Sequence, residues 1–140
     1  MYRPKVFVSF DFENDRNYKY LLEAWSKSEK YDFEFDDKSS REINSWNIGT
    51  IKAVLTKKIK ESDYTIVIVG KEANKIHKDY SLIGYKNWQN FEIAKSKENN
   101  NKLVAVKLDK EYESPKELLN SNASWAYSYS LDNIVKALES

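Results

Sequence analysis

Residues 64–69, YTIVIV, form a nearly continuous apolar run of strand length. A strand with one wet face alternates apolar and polar residues, so an unbroken run reads as a strand covered on both faces. Residues 103–108 (LVAVKL) repeat this character, and residues 5–10 (KVFVSF) give a third β-branched and aromatic run near the N-terminus. Helical spacing separates them. Tyr18, Leu21, Leu22 and Trp25 predict one helix, and Ile48, Ile51, Val54, Leu55 and Ile59 a second. A third carries Trp88 and Glu92 and ends at the polar run 99–102, and Leu131, Ile134, Val135 and Leu138 mark a closing helix. Strands alternating with helices imply a mainly parallel sheet covered on both sides, and right-handed crossovers leave few topologies. The expectation is one α/β domain over residues 1–140: a small doubly wound, flavodoxin-like, mainly parallel sheet of about five strands with helices on both faces.

The connections carry the next piece of information. Residues 31–35 (YDFEF) alternate apolar and acidic, as an edge strand does, and residues 36–45 form a polar loop. That loop exceeds the roughly 2–6 residues usual between strand and helix. Residues 70–87 are a second long irregular segment, Ser114 and Pro115 suggest a helix start, and a small polar stretch surrounds Trp125. In doubly wound folds, ligands sit beyond the carboxyl ends of the strands where the strand order reverses. This gathers residues 10–14, 36–45, 70–87 and the start of the third main helix at one rim.

Composition removes several occupants of that rim. Charged residues are 32% of the chain but interleave to a net charge of +1, without the basic footprint of a nucleic-acid binder. Cysteine is absent, which excludes disulfides, thiol nucleophiles and cysteine-ligated zinc. The N-terminal apolar run is too short for a leader core or a membrane span, so a cytoplasmic protein is expected. With three glycines in the chain, the first strand leads into SFDFEN rather than G-x-G-x-x-G, and no P-loop exists. A phosphoacceptor aspartate is missing at the end of the YTIVIV strand, where Val69 and Gly70 stand. Asp36 and Asp37 read as solvated acids, so no metal is expected, and His77, the only histidine, reads as a surface-loop residue.

Carboxylates remain, and Glu92 is the notable one. Trp88 lies four residues before it, so the two share a helical face one turn apart. A glutamate among Trp88, Phe91, Ile93 and Ala94 at the border of an apolar face is a candidate functional group. Spacing alone also allows a solvated glutamate beside a core tryptophan.

Residues 5–10, the loop after the second strand, the strand 65–69 and above all the W-x-x-x-E of Trp88 and Glu92 resemble the Toll/interleukin-1 receptor (TIR) domain. The resemblance is narrowest to the small bacterial TIR-like proteins of the ThsB type in Thoeris anti-phage defence. It implies an enzyme that takes NAD as substrate, needs no separate cofactor, and cleaves the nicotinamide–ribose bond to yield an ADP-ribose-derived signal, cyclic or conjugated. Glu92 would be the catalytic residue and Trp88 would stack on nicotinamide. Phe10 and Asp11 fall where family members contact the nicotinamide ribose or amide, although this chain has Asp11 and Phe12 where many relatives have arginine or serine. Residues 36–46 correspond to the family's BB loop, in which Trp46 either lines the pocket or packs at the helix start. The implied partners are NAD, a separate effector protein reached by the diffusible nucleotide, and further copies of the chain; neither nucleic acid nor membrane is implied.

Two other readings fit the same residues. TIR domains also act as non-catalytic signalling and interaction modules, and a nucleoside deoxyribosyltransferase-like enzyme shares the architecture and uses a glutamate on nucleoside bonds. Glu92 discriminates the first two: Glu92→Gln abolishes NAD cleavage in an enzyme and leaves assembly intact in a module. The third would release a free base from a deoxynucleoside and leave NAD untouched.

Overall fold

The three apolar runs become the interior of a five-stranded, all-parallel sheet ordered β2-β1-β3-β4-β5 in the computed structural model. The structure describes residues 4–26, 34–36, 43 and 46–140. In chain order the elements are β1 (Lys5–Ser9), α1 (Phe12–Ser26), β2 (Glu34–Asp36), α2 (Ile48–Lys60), β3 (Tyr64–Val69), α3 (Tyr80–Ile83), α4 (Trp88–Glu98), β4 (Lys102–Lys107), a 3-10 turn (Lys116–Leu118), β5 (Ser124–Ala126) and α5 (Leu131–Glu139).

Side chains alternate across the sheet with period two and so divide the core into layers. Val6, Val8, Ile66, Ile68, Val104 and Val106 point to one face, where Leu22 of α1 and Ile134, Ala137 and Leu138 of α5 cover them. Phe7 points to the other face, against Ile51, Leu55 and Ile59 of α2, Ile83 of α3 and Phe91 of α4. Val67, Val69, Leu103 and Ala105 meet Ile93 of α4 and Leu118 on that same side. Burying each such aliphatic side chain is worth about 1.5–3 kcal/mol, which is why the unbroken apolar runs end up central.

Three boundaries differ from expectation. The polar residues 11–17 cap the first helix and also enter it: the Asp11 carbonyl accepts from the amides of Asn14 (3.3 Å) and Asp15 (2.7 Å), starting α1 at Phe12 rather than near Tyr18. The polar stretch around Trp125 is the fifth strand, recruited by pairing Val104, Ala105 and Val106 of β4 with Ser124, Trp125 and Ala126. Ser114 and Pro115 introduce a 3-10 turn of three residues instead of an α-helix.

Strand order reverses between β1 and β3, where Ser9 pairs with Val67. The carboxyl ends of these two strands position the site.

Candidate functional site

Asn87 starts α4 and fixes its position. Its side-chain oxygen accepts from the Asn90 amide at 2.9 Å, an N-cap, while its Nδ2 donates to the carbonyls of Ala73 (2.8 Å) and Lys75 (3.0 Å). The helix entrance is thereby tied to the loop after β3. Once under way, α4 is buried on nearly all sides: Gln89, Asn90, Phe91, Glu92, Ile93, Ala94 and Ser96 are all buried.

Gln89, Glu92 and Ser96 follow one another at spacings of three and four, so they make a polar line along one face of α4. That line meets the sheet. Gln89 Nε2 donates to the carbonyls of Ile68 (2.9 Å) and Ser9 (3.2 Å), bridging the ends of β3 and β1. Ser9 Oγ donates to Glu92 Oε1 at 2.7 Å. Ser96 Oγ donates to the Glu92 carbonyl at 2.8 Å and shares a 2.7 Å contact with Thr65 Oγ1. The predicted glutamate therefore lies beneath the helix at the switch point of the sheet, rather than at the border of its apolar face.

Burial dominates the electrostatics. Glu92 is only 2% exposed, and loss of hydration pushes its carboxyl up to about 8, against the pull of the Ser9 hydrogen bond in the opposite direction. At neutral pH the free protein holds Glu92 mostly as the acid.

Trp88 stands edge-on to Phe91, with ring centroids 5.7 Å apart at 83°, and packs half-buried on the cluster of Phe7 and α2. Asp11 caps α1, accepting from the Glu13 amide at 3.1 Å and from Asn14 Nδ2 at 2.6 Å. Asn14 Nδ2 reaches on to Glu72 at 3.0 Å, so the loops after β1 and β3 are joined across the rim. Phe10 is 6% exposed within the core under α1 and α5, because alternation along the chain sends it to the opposite face from Ser9. Trp46 is fully exposed just before the α2 cap Asn47. Of the loop 36–45, residues 37–42, 44 and 45 and the side chain of Asp36 fall outside the described residues. His77 accepts from the Asp79 amide at Nδ1, 2.9 Å, within a surface turn.

Sequence reasoning missed three residues. Ser9 was legible as the inward-alternating end of β1, and Gln89 as the residue one turn before Glu92. Asp15 carried no signal. It is 5% exposed, its Oδ2 has no hydrogen-bond partner among the described residues, and its carboxyl is pushed up to about 6 by burial first and then by Asp11 and Glu72. It lies against Gly70, where an added Cβ would collide with the Asp15 carboxyl. Among the described residues no three histidine, aspartate or glutamate side chains are grouped to hold a metal ion, and no helix is long and apolar enough to cross a membrane.

A family model described as "Thoeris protein ThsB, TIR-like domain" matches residues 7–113. No protein of curated function matches the sequence. Among solved structures, a 2-deoxyribosyltransferase from Bacillus psychrosaccharolyticus superposes with a TM-score of 0.56 at 15% identity, covering 89% of this chain and 87% of that one. At that identity the likeness concerns the fold. The TIR domains of the activated Roq1 resistosome match with a TM-score of 0.42 at 23% identity, over 74% of this chain and 57% of that one.

Proposed function

Because the chain belongs to the Thoeris ThsB TIR-like family, we propose that it cleaves the nicotinamide–ribose bond of NAD, with Glu92 as the catalytic residue. The observation that carries this reading is the Ser9–Glu92 contact: one buried carboxylic acid, oriented by a hydroxyl, at the switch point between β1 and β3.

The chemistry asks little of a proton donor. When the bond from ribose C1′ to the pyridinium nitrogen breaks, its electron pair goes to the ring, nicotinamide departs neutral, and the positive charge passes to the ribose. Glu92 supplies a carboxylate beside that charge, a logic shared with glycoside hydrolysis. Its raised pKa suits this role, because the cationic substrate draws the proton off and the anion then sits in a dry, low-dielectric place where it acts strongly. Ser9 and Gln89 hold the carboxyl and its helix in place. Trp88 offers an indole face to the pyridinium, an attraction of roughly 0.5–2 kcal/mol that favours the cationic reactant over the neutral product. Water, or a nucleophile of the ADP-ribose itself or of an acceptor, then captures C1′.

The released ADP-ribose species is the signal, and a separate effector protein is its target. Copies of the chain assemble in the cytoplasm to act. The competing reading, a non-catalytic interaction module, is favoured by one observation: Glu92 is almost wholly buried and neutral, so a ribose reaches it only after neighbouring side chains move aside.

Concentrated protein incubated with NAD, beside Glu92→Gln, decides between them by chromatography with mass detection. Nicotinamide release by the wild type alone supports the enzyme and identifies its product. Equal traces from both proteins, in buffer and in lysate of phage-infected cells alike, support the module.

A further inference from the structure

The segments that follow β3 and β4 border an open cleft of about 590 Å³ beside the first turns of α4, lined in part by Ile76, Tyr80, Tyr85, Lys86, Asn90 and Lys116. Ser9, Gln89 and Glu92 take no part in its walls. Its volume lies in the range of small-molecule sites, about 300–1,000 Å³.

The walls are joined to one another by the protein's own hydrogen bonds. Asn90 Nδ2 donates to Asn74 Oδ1 (3.2 Å) and Asn87 Oδ1 (3.0 Å), while Asn90 Oδ1 accepts from the Glu117 amide at 2.9 Å. Asn74 Oδ1 also accepts from the Lys116 amide at 2.9 Å. Three asparagines thus bind the loop after β3, the start of α4 and the 3-10 turn into one frame, so little ordering remains for a ligand to impose.

The frame presents two kinds of chemistry. Tyr85 is held edge-on to Phe91, with centroids 5.9 Å apart, and Tyr80 is 55% exposed. The ammonium groups of Lys86 and Lys116 make no ion pair among the described residues, whereas the Glu117 carboxylate is already engaged by Lys97 Nζ at 3.3 Å. Two tyrosines and two lysines outside any described ion pair therefore line one cleft, and lysine is a compact charge well suited to phosphate.

We propose that this cleft binds a nucleoside phosphate, its flat ring against Tyr80 and Tyr85 and its phosphates between Lys86 and Lys116. The site is separate from Glu92 and stands whether or not the protein cleaves NAD.

Isothermal titration with ADP, with adenosine and with inorganic pyrophosphate tests this. ADP binds more tightly than either fragment, and the Lys86→Glu/Lys116→Glu double variant weakens it by roughly tenfold, as expected when two surface cations no longer meet the phosphates. Tyr80→Ala, a change at an exposed ring, also weakens it and serves as the test if the double variant fails to fold. Glu92→Gln leaves it unchanged. The proposal is overturned if ADP does not bind at millimolar concentration, if pyrophosphate alone binds as tightly as ADP, or if affinity ignores both cleft variants. Loss of binding in Glu92→Gln with the cleft variants unaffected overturns it as well, by placing the nucleotide at the other site.

Discussion

Ser9 and Glu92, 83 residues apart in the chain, meet through a 2.7 Å hydrogen bond buried between the end of β1 and the underside of α4. The bond opposes the effect of burial on the Glu92 carboxyl, because a hydroxyl that donates to a carboxylate favours its charged form. Two elements brought together by the sheet therefore set the charge of one side chain.

Replacing Ser9 by alanine is expected to move the pH dependence of the proposed NAD cleavage to higher pH, since the hydrogen bond that favours ionised Glu92 is gone. Wild-type kcat/KM should itself rise as pH approaches about 8, where Glu92 titrates. A pH-rate profile of both proteins checks this; coincident profiles would show that Ser9 does not influence the titrating group.

Glu92 also makes stability depend on pH. Its pKa is raised from 4.5 to about 8 on folding, so the unfolded chain releases this proton first. Stability from the neutral form is full below about 4.5 and is lost as pH rises through about 8, at roughly 1.4 kcal/mol per pH unit between them. Asp15, raised from 3.8 to about 6, adds loss of the same sign over its own window. Urea unfolding of Glu92→Gln across this range should show a shallower decline than the wild type and a more stable protein at the alkaline end.

Gln89 acts on position. Gln89→Leu removes the donor to the Ser9 and Ile68 carbonyls and is expected to cost about 1–3 kcal/mol of stability. With α4 released from the strand ends, kcat of the proposed reaction is expected to fall more than KM rises, and Gln89→Met, which fills the space but also lacks a donor, should behave alike. Steady-state kinetics with both variants at matched folded fraction make the check.

Gly70 is required by space. A Cβ there would run into the Asp15 carboxyl, and both groups are buried, so Gly70→Ala should destabilise by roughly 1–3 kcal/mol. Shortening the opposing side chain relieves the clash: the Gly70→Ala/Asp15→Ala double variant should melt above the single Gly70→Ala variant.

Phe10→Ala is expected to cost roughly 3–5 kcal/mol as a core truncation. Any fall in activity should follow the fraction folded. A KM change in fully folded protein at low temperature would place Phe10 at the substrate site.

Local sequence determined the elements whose character is set within a few residues. Apolar runs in β1, β3 and β4, helical periodicity in α2 and α5, and the W-x-x-x-E of α4 are legible because burial pattern and helical geometry act over short spans. β5 was not, since Ser124, Trp125 and Ala126 become a strand only by pairing with β4. Trp88 and Glu92 could be placed on one helix, but which way the glutamate pointed depended on what lay beneath it. The alternation that turns Ser9 toward α4 and Phe10 away from it was written in the chain, yet its meaning required knowing which helix covered each face. Only the tertiary fold decided that Glu92 would be buried, neutral and held by Ser9, because desolvation and hydrogen bonding come from neighbours far away in sequence.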